Sequence, residues 1–161
     1  MKAWFAVLPF VLAMHSAMAL AQPPAASPLL GQWAVDVSRL PMAPEARPKS
    51  VTFTFADAGE GKWATEVAIV DPAGVQLRSF ATVALDGTSV PIKGATLEAD
   101  TVALKHPVPN VLIMALAKDG HPASTRIYSV AADGKTLVET SVYADDKGVP
   151  VMRTYELTRI R

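Results

Sequence analysis

His106 and His121 are the two imidazoles beyond the N-terminal apolar run, and they are the first places to look for proton transfer or metal binding. Each stands directly before a proline, a position confined to extended backbone, so both are expected as exposed residues of loops or strand ends. Zinc takes three or four N, S or O ligands at organised spacing, which two separated histidines do not supply. Asp145-Asp146 offers carboxylate oxygens to Ca²⁺, but the turn around it lacks the further oxygen ligands a calcium site needs. Glu66, Glu139 and Glu156 would have to converge to act as an acid–base pair, and nothing in their spacing brings them together; charged positions within strands are expected to face water. There is no G-x-S-x-G elbow, no phosphate-cradling Gly-rich loop, no H-E-x-x-H and no cysteine. No catalytic residue and no metal or other cofactor is assigned.

The elements that would position any site read as strands. In Val51-Thr52-Phe53-Thr54-Phe55 every second residue is large and apolar while threonines occupy the other face, the alternation of a half-buried strand. Comparable runs are expected over Gly31–Val37, Lys62–Val70, Val75–Leu85, Asp100–Lys105, Val108–Ala117, Ser124–Ala131, Thr136–Tyr143 and Val149–Thr158. Between them lie Asp57-Ala58-Gly59, Asp71-Pro72-Ala73-Gly74, Asp86-Gly87, Asp119-Gly120, Asp133-Gly134 and Asp146-Lys147-Gly148. Asp closes a local hydrogen bond and Gly supplies positive φ, so these are hairpin turns. No stretch carries a helical period of useful length. The fold class is therefore all-β: an antiparallel up-and-down meander of about eight to nine strands closing into a barrel, with an open β-sandwich as the alternative. An outer-membrane barrel is disfavoured by charges inside the strands, among them Glu66, Arg78, Lys105, Glu139 and Glu156, and by the absence of aromatic girdles.

At the N-terminus Lys2 precedes an apolar run from Ala3 to Met14, followed by small residues at Ala17, Ala19 and Ala21. This is the pattern of a secretory signal peptide over residues 1–21, cleaved near Ala21, which makes the chain an exported protein, periplasmic or secreted. Residues 22–29 form a Pro/Ala-rich flexible lead-in, and 30–161 the barrel domain. Export leaves 140 of the 161 residues, with 14 basic against 15 acidic side chains. That length buries a core without disulfides. The interspersed charge shows no basic stripe for nucleic acid and no basic amphipathic helix for a membrane surface, and the mature chain has no membrane span.

Leu30-Gly31-Gln32-Trp33 resembles the G-x-W opening of lipocalins and related calycin barrels. The resemblance implies that Trp33 seals one end of the barrel beneath an arginine of the last strand, for which Arg153 and Arg159 are the candidates. A closer similarity is to small secreted bacterial lipocalin-like proteins, which share several short segments in fixed order. Here these are Gly31-Gln32-Trp33 with Asp36; Pro48-Lys49-Ser50-Val51-Thr52; Asp86-Gly87 with Val90-Pro91-Ile92 and Gly94; Asp100-Thr101-Val102; Asp133-Gly134-Lys135-Thr136-Leu137; and Gly148-Val149-Pro150-Val151 leading to Tyr155-Glu156. The match spans roughly residues 30–157 and departs at Ser38-Arg39-Leu40. It implies a fold and an exported location and assigns no activity.

Two stretches speak to function. Val111-Leu112-Ile113-Met114-Ala115-Leu116-Ala117 is apolar on both faces, so its outer side calls for a cover, from the chain's own loop or N-terminal segment or from a homo-oligomer or partner contact. Ser38–Lys49, with Pro41, Pro44 and Pro48, is too long for a hairpin turn; by analogy with lipocalins it would lie over the barrel's open end, with Leu40 and Met42 as a cavity lid, and a plain surface loop is the alternative. The alternation leaves Val51, Phe53, Phe55, Val67, Ile69, Val83 and Tyr155 facing inward, and Arg78 and Arg153 are the charges best placed to interrupt that lining. A non-catalytic binder of a small apolar or amphipathic molecule is the first expectation. An envelope structural or partner-binding protein is the second, and an enzyme with an unrecognised site the third.

Overall fold

A computed structural model describes residues 26–161; the expected signal peptide over 1–21, and residues 22–25 of the lead-in, lie outside the described residues. The described chain is an all-β antiparallel meander wrapped into a nearly closed barrel. Its strands are β1 (Gly31–Val35), β2 (Ser50–Gly59), β3 (Lys62–Val70), β4 (Gln76–Ala84), β5 (Val90–Pro91), β6 (Lys93–Gly94), β7 (Thr101–Val108), β8 (Val111–Lys118), β9 (His121–Val130), β10 (Thr136–Ala144) and β11 (Pro150–Arg159). The order in the sheet is β5-β7-β8-β9-β10-β11-β1-β2-β3-β4-β6.

The count is 11 strands rather than eight to nine. The difference comes from β5 and β6, two residues each, too short for any alternation to show in a stretch broken by Pro91 and Gly94. They serve the seam between β4 and β7. β6 pairs with β4 through Ser79 and Phe80, while β5 pairs with β7 through Val102 and Thr101. An isolated bridge between Asp86 and Lys105 ties one end of the seam, and the Lys118 ammonium donates to the Thr96 carbonyl at 2.8 Å near the other. Gly94 is needed here: it sits at φ 88°, and a Cβ would collide with the Arg78 carbonyl oxygen.

The hairpin chemistry is local, with two shifts of residue. Asp71, Asp133 and Asp145 each accept from backbone N–H groups two to four residues on, so Asp145 rather than Asp146 closes the last turn. Asp57 is still within β2, and the turn after it is Gly59-Glu60-Gly61. Between β1 and β2 the long connection contains two short 3-10 turns, Val37–Arg39 and Pro44–Ala46.

The barrel is filled at one end and hollow at the other. Leu29, Trp33, Phe55, Trp63, Val83, Leu104, Leu112, Tyr128, Leu137 and Leu157 are buried in the filled half. Tyr128 packs edge-on to Phe55 with centroids 5.4 Å apart, and Phe53 lies 5.9 Å away. Leu29 is fully buried, so the end of the expected lead-in is part of the core and not a loose tail. On the outer face of β8, Ile113 is half-buried and Ala115 exposed, flanked on β9 by the partly exposed Ile127. No helix among the described residues is long and apolar enough to cross a membrane.

Candidate functional site

The sealed end rests on Trp33. Its indole N–H donates to the Leu29 carbonyl at 2.9 Å, and the Arg159 guanidinium lies over its ring, 4.1 Å from the centroid. A cation over an indole face is attracted by the ring quadrupole. The same guanidinium donates to the carbonyls of Gly134 at 2.8 Å, Leu30 at 2.7 Å and Pro28, lacing both chain ends and the β9–β10 turn together. Gly31 makes room for it: at φ 127° a Cβ there would collide with the Arg161 carbonyl oxygen and the Arg159 side chain. Arg153, the other arginine considered for this role, sits six residues back along β11. It faces the hollow end, with its guanidinium 5.8 Å from the Tyr143 ring.

The hollow end encloses about 680 Å³. Val35, Val51, Phe53, Val67, Ile69 and Tyr155 form its apolar wall, and Leu40, Pro41 and Met42 of the β1–β2 connection also line it. Leu40 is half-buried and Met42 more exposed, as expected of side chains at a rim. A second, smaller and largely apolar cavity of about 90 Å³ adjoins it under the seam, lined by Leu77, Ile92, Leu97, Ala99 and Met114 among others.

Between the two cavities stands a polar cluster. Register explains it: on β9 Ser124, Arg126, Tyr128 and Val130 share the inner face, and on β10 so do Leu137, Glu139, Ser141 and Tyr143, with Glu139 opposite Tyr128 and Ser141 opposite Arg126. Glu139, expected to face water, instead has a side chain 5% exposed and meets Arg126, itself 16% exposed, at 3.3 Å. The other terminal nitrogen of Arg126 pairs with Glu98, which reaches in from the segment between β6 and β7. Arg126 Nε and the Tyr128 hydroxyl, both shielded from solvent, have no hydrogen-bond partner among the described residues.

Burial pushes the Glu139 carboxyl above its usual range; Arg126 pulls it back down and Glu98 adds to the rise. Tyr128 is raised by burial and by Glu139, with Arg126 opposing, so its hydroxyl stays protonated. Burial alone would lower Arg126, but the negative charge of Glu98 and Glu139 beside it outweighs this and holds the guanidinium charged.

Arg126 was missed because a lone charge on a strand is ordinarily outward; its phase with Tyr128 and Val130 was the available signal. Arg78 points outward and pairs with Glu66 at 3.0 Å, and Glu156 pairs on the surface with Arg39 at 2.9 Å. Glu66, Glu139 and Glu156 are therefore not brought together. His106 is neither exposed nor in a loop: it lies in β7, half-buried, with its ring 5.0 Å from that of Trp63, and lines neither cavity. His121 begins β9 and is exposed. Among the described residues no group of three or more His, Asp or Glu side chains is arranged to hold a metal ion.

Compared with protein-family models, with curated proteins and with solved structures, the chain finds no match.

Proposed function

We propose that this is an exported, lipocalin-like carrier that binds a small amphipathic molecule in the hollow end of its barrel. The observation that carries the proposal is the cavity of about 680 Å³, apolar along its walls and polar at its floor, beneath the Leu40–Met42 rim. Sites for small molecules are concave, mostly apolar and a few hundred Å³ or more in volume, with a small number of polar groups that fix orientation. Val51, Phe53, Val67, Ile69 and Tyr155 would take a hydrocarbon tail, while Arg126, Glu139 and Ser141 present donors and acceptors to a polar group.

The floor supports binding better than catalysis. Arg126 is already engaged by two carboxylates, and neither His106 nor His121 lines the cavity. A partner contact is a second reading, favoured by exposed Ile127 on the outer wall beside Ile113 and Ala115. Native mass spectrometry of the protein isolated from its own cell envelope tests both. A co-purifying small molecule of defined mass on the monomer supports the carrier. A ligand-free protein found always as an oligomer supports the outer face.

A further inference from the structure

We infer that Glu98 is a built-in placeholder on Arg126, and that the amphiphile the cavity takes carries a single carboxylate head which displaces it. This rests on the carrier reading and names the ligand class for that site. Arg126 has two carboxylate partners of opposite character. Glu139 lies on a central strand with its side chain 5% exposed, fixed between β9 and β11. Glu98 stands outside any strand, with its side chain 72% exposed, beside the equally exposed Leu97.

Only the Glu98 side chain has to move. The backbone around it is anchored by the Lys118–Thr96 hydrogen bond on one side and by buried Ala99 on the other. Both Glu98 and Arg126 line the large cavity and the small one, so the position Glu98 holds on the guanidinium is in reach of a molecule lying in the barrel.

The exchange balances. One guanidinium faces two carboxylates before and after, because the ligand's carboxylate takes the place of the one that leaves. Glu98 regains full hydration with little to lose, and the tail's burial along Val51, Val67 and Ile69 drives the exchange. Arginine presents a planar fork that matches a carboxylate, which favours that head over an alcohol or an amine. An amine would have to stand against the guanidinium, and an alcohol has no charge with which to evict Glu98.

The test is calorimetric titration of decanoate and of decan-1-ol into the wild type and into Glu98→Gln at neutral pH. An internal competitor lowers apparent affinity by the fraction of time it occupies the site, so removing one that is bound nine-tenths of the time gives about a tenfold gain. Glu98→Gln should therefore bind decanoate about tenfold tighter and decan-1-ol within about twofold of the wild type. A paired variant, Arg126→Met with Glu139→Leu, leaves no buried charge unpaired and should bind both compounds alike. Equal gains for both ligands in Glu98→Gln, or no gain for decanoate, would overturn the placeholder while leaving the carrier intact. Failure of both ligands to bind any variant would bring down the carrier reading itself.

Discussion

Replacing Arg159 by Met keeps the aliphatic stem and removes the guanidinium that holds the sealed end. Its stacking on Trp33 at 4.1 Å contributes about 1 kcal/mol for a partly desolvated pair. The hydrogen bonds to the Gly134 and Leu30 carbonyls are part-buried, and after allowance for solvent screening they contribute about 1 kcal/mol each. The bond to Pro28 is exposed and counts for little. The loss is then roughly 3 kcal/mol, which for a domain of this size lowers Tm by roughly 10 °C. Arg153→Met is the control, because Arg153 makes no ion pair among the described residues and sits exposed over Tyr143; its effect should stay within about 0.5 kcal/mol. Urea unfolding followed by tryptophan fluorescence, with both variants showing the wild-type m-value, gives the comparison. Equal stabilities for Arg159→Met and Arg153→Met would refute the assignment of the seal to Arg159.

Trp33→Ala empties a fully buried site and should cost about 3–5 kcal/mol, read as a lowered urea midpoint; an unchanged midpoint would contradict the packing described. Gly31→Ala should cost at least about 2 kcal/mol, since it combines unfavourable φ with a collision against Arg161 and Arg159; a neutral effect would mean the chain ends are not held there. Glu139 is held above its usual range by burial, so over an interval beginning near the unfolded value of ~4.3 the native state keeps a proton that the unfolded chain has released. Stability from this group is present below that value and is lost as pH rises through the folded pKa. The stability of the wild type minus that of Glu139→Gln should thus fall as pH rises above about 4.3, and a rise of that signed difference with pH would contradict the sign of the shift.

Alternation made the strands legible. Val51 to Phe55 gives the core face of β2 directly, and the Asp- and Gly-containing turns fix where β3, β4, β9 and β10 reverse. The seam strands β5 and β6 were not legible, because two residues are too few for any period to show. Leu40 and Met42, singled out by analogy with lipocalins on a connection too long for a hairpin, are among the residues lining the large cavity. The polar floor was obscured for a different reason. Arg126 and Glu139 lie in phase with the core residues Tyr128 and Leu137, yet a charge in a strand ordinarily faces water. What makes their burial tolerable is their pairing across adjacent strands, and that depends on register, which neither strand reveals by itself. Glu98 adds a contact between segments 28 residues apart, set by the seam's closure.

The central claim is that the hollow end takes a small amphipathic guest, and the most direct measurement is fluorescence titration with the neutral probe N-phenyl-1-naphthylamine in wild type and in Ala123→Trp. Ala123 lines the large cavity, so an indole there takes up part of its volume while both partners of the Arg126–Glu139 pair are kept. Saturable 1:1 enhancement in the wild type, weakened in a folded Ala123→Trp of wild-type stability, is the result predicted. No saturable binding, or equal binding by both proteins, would contradict it.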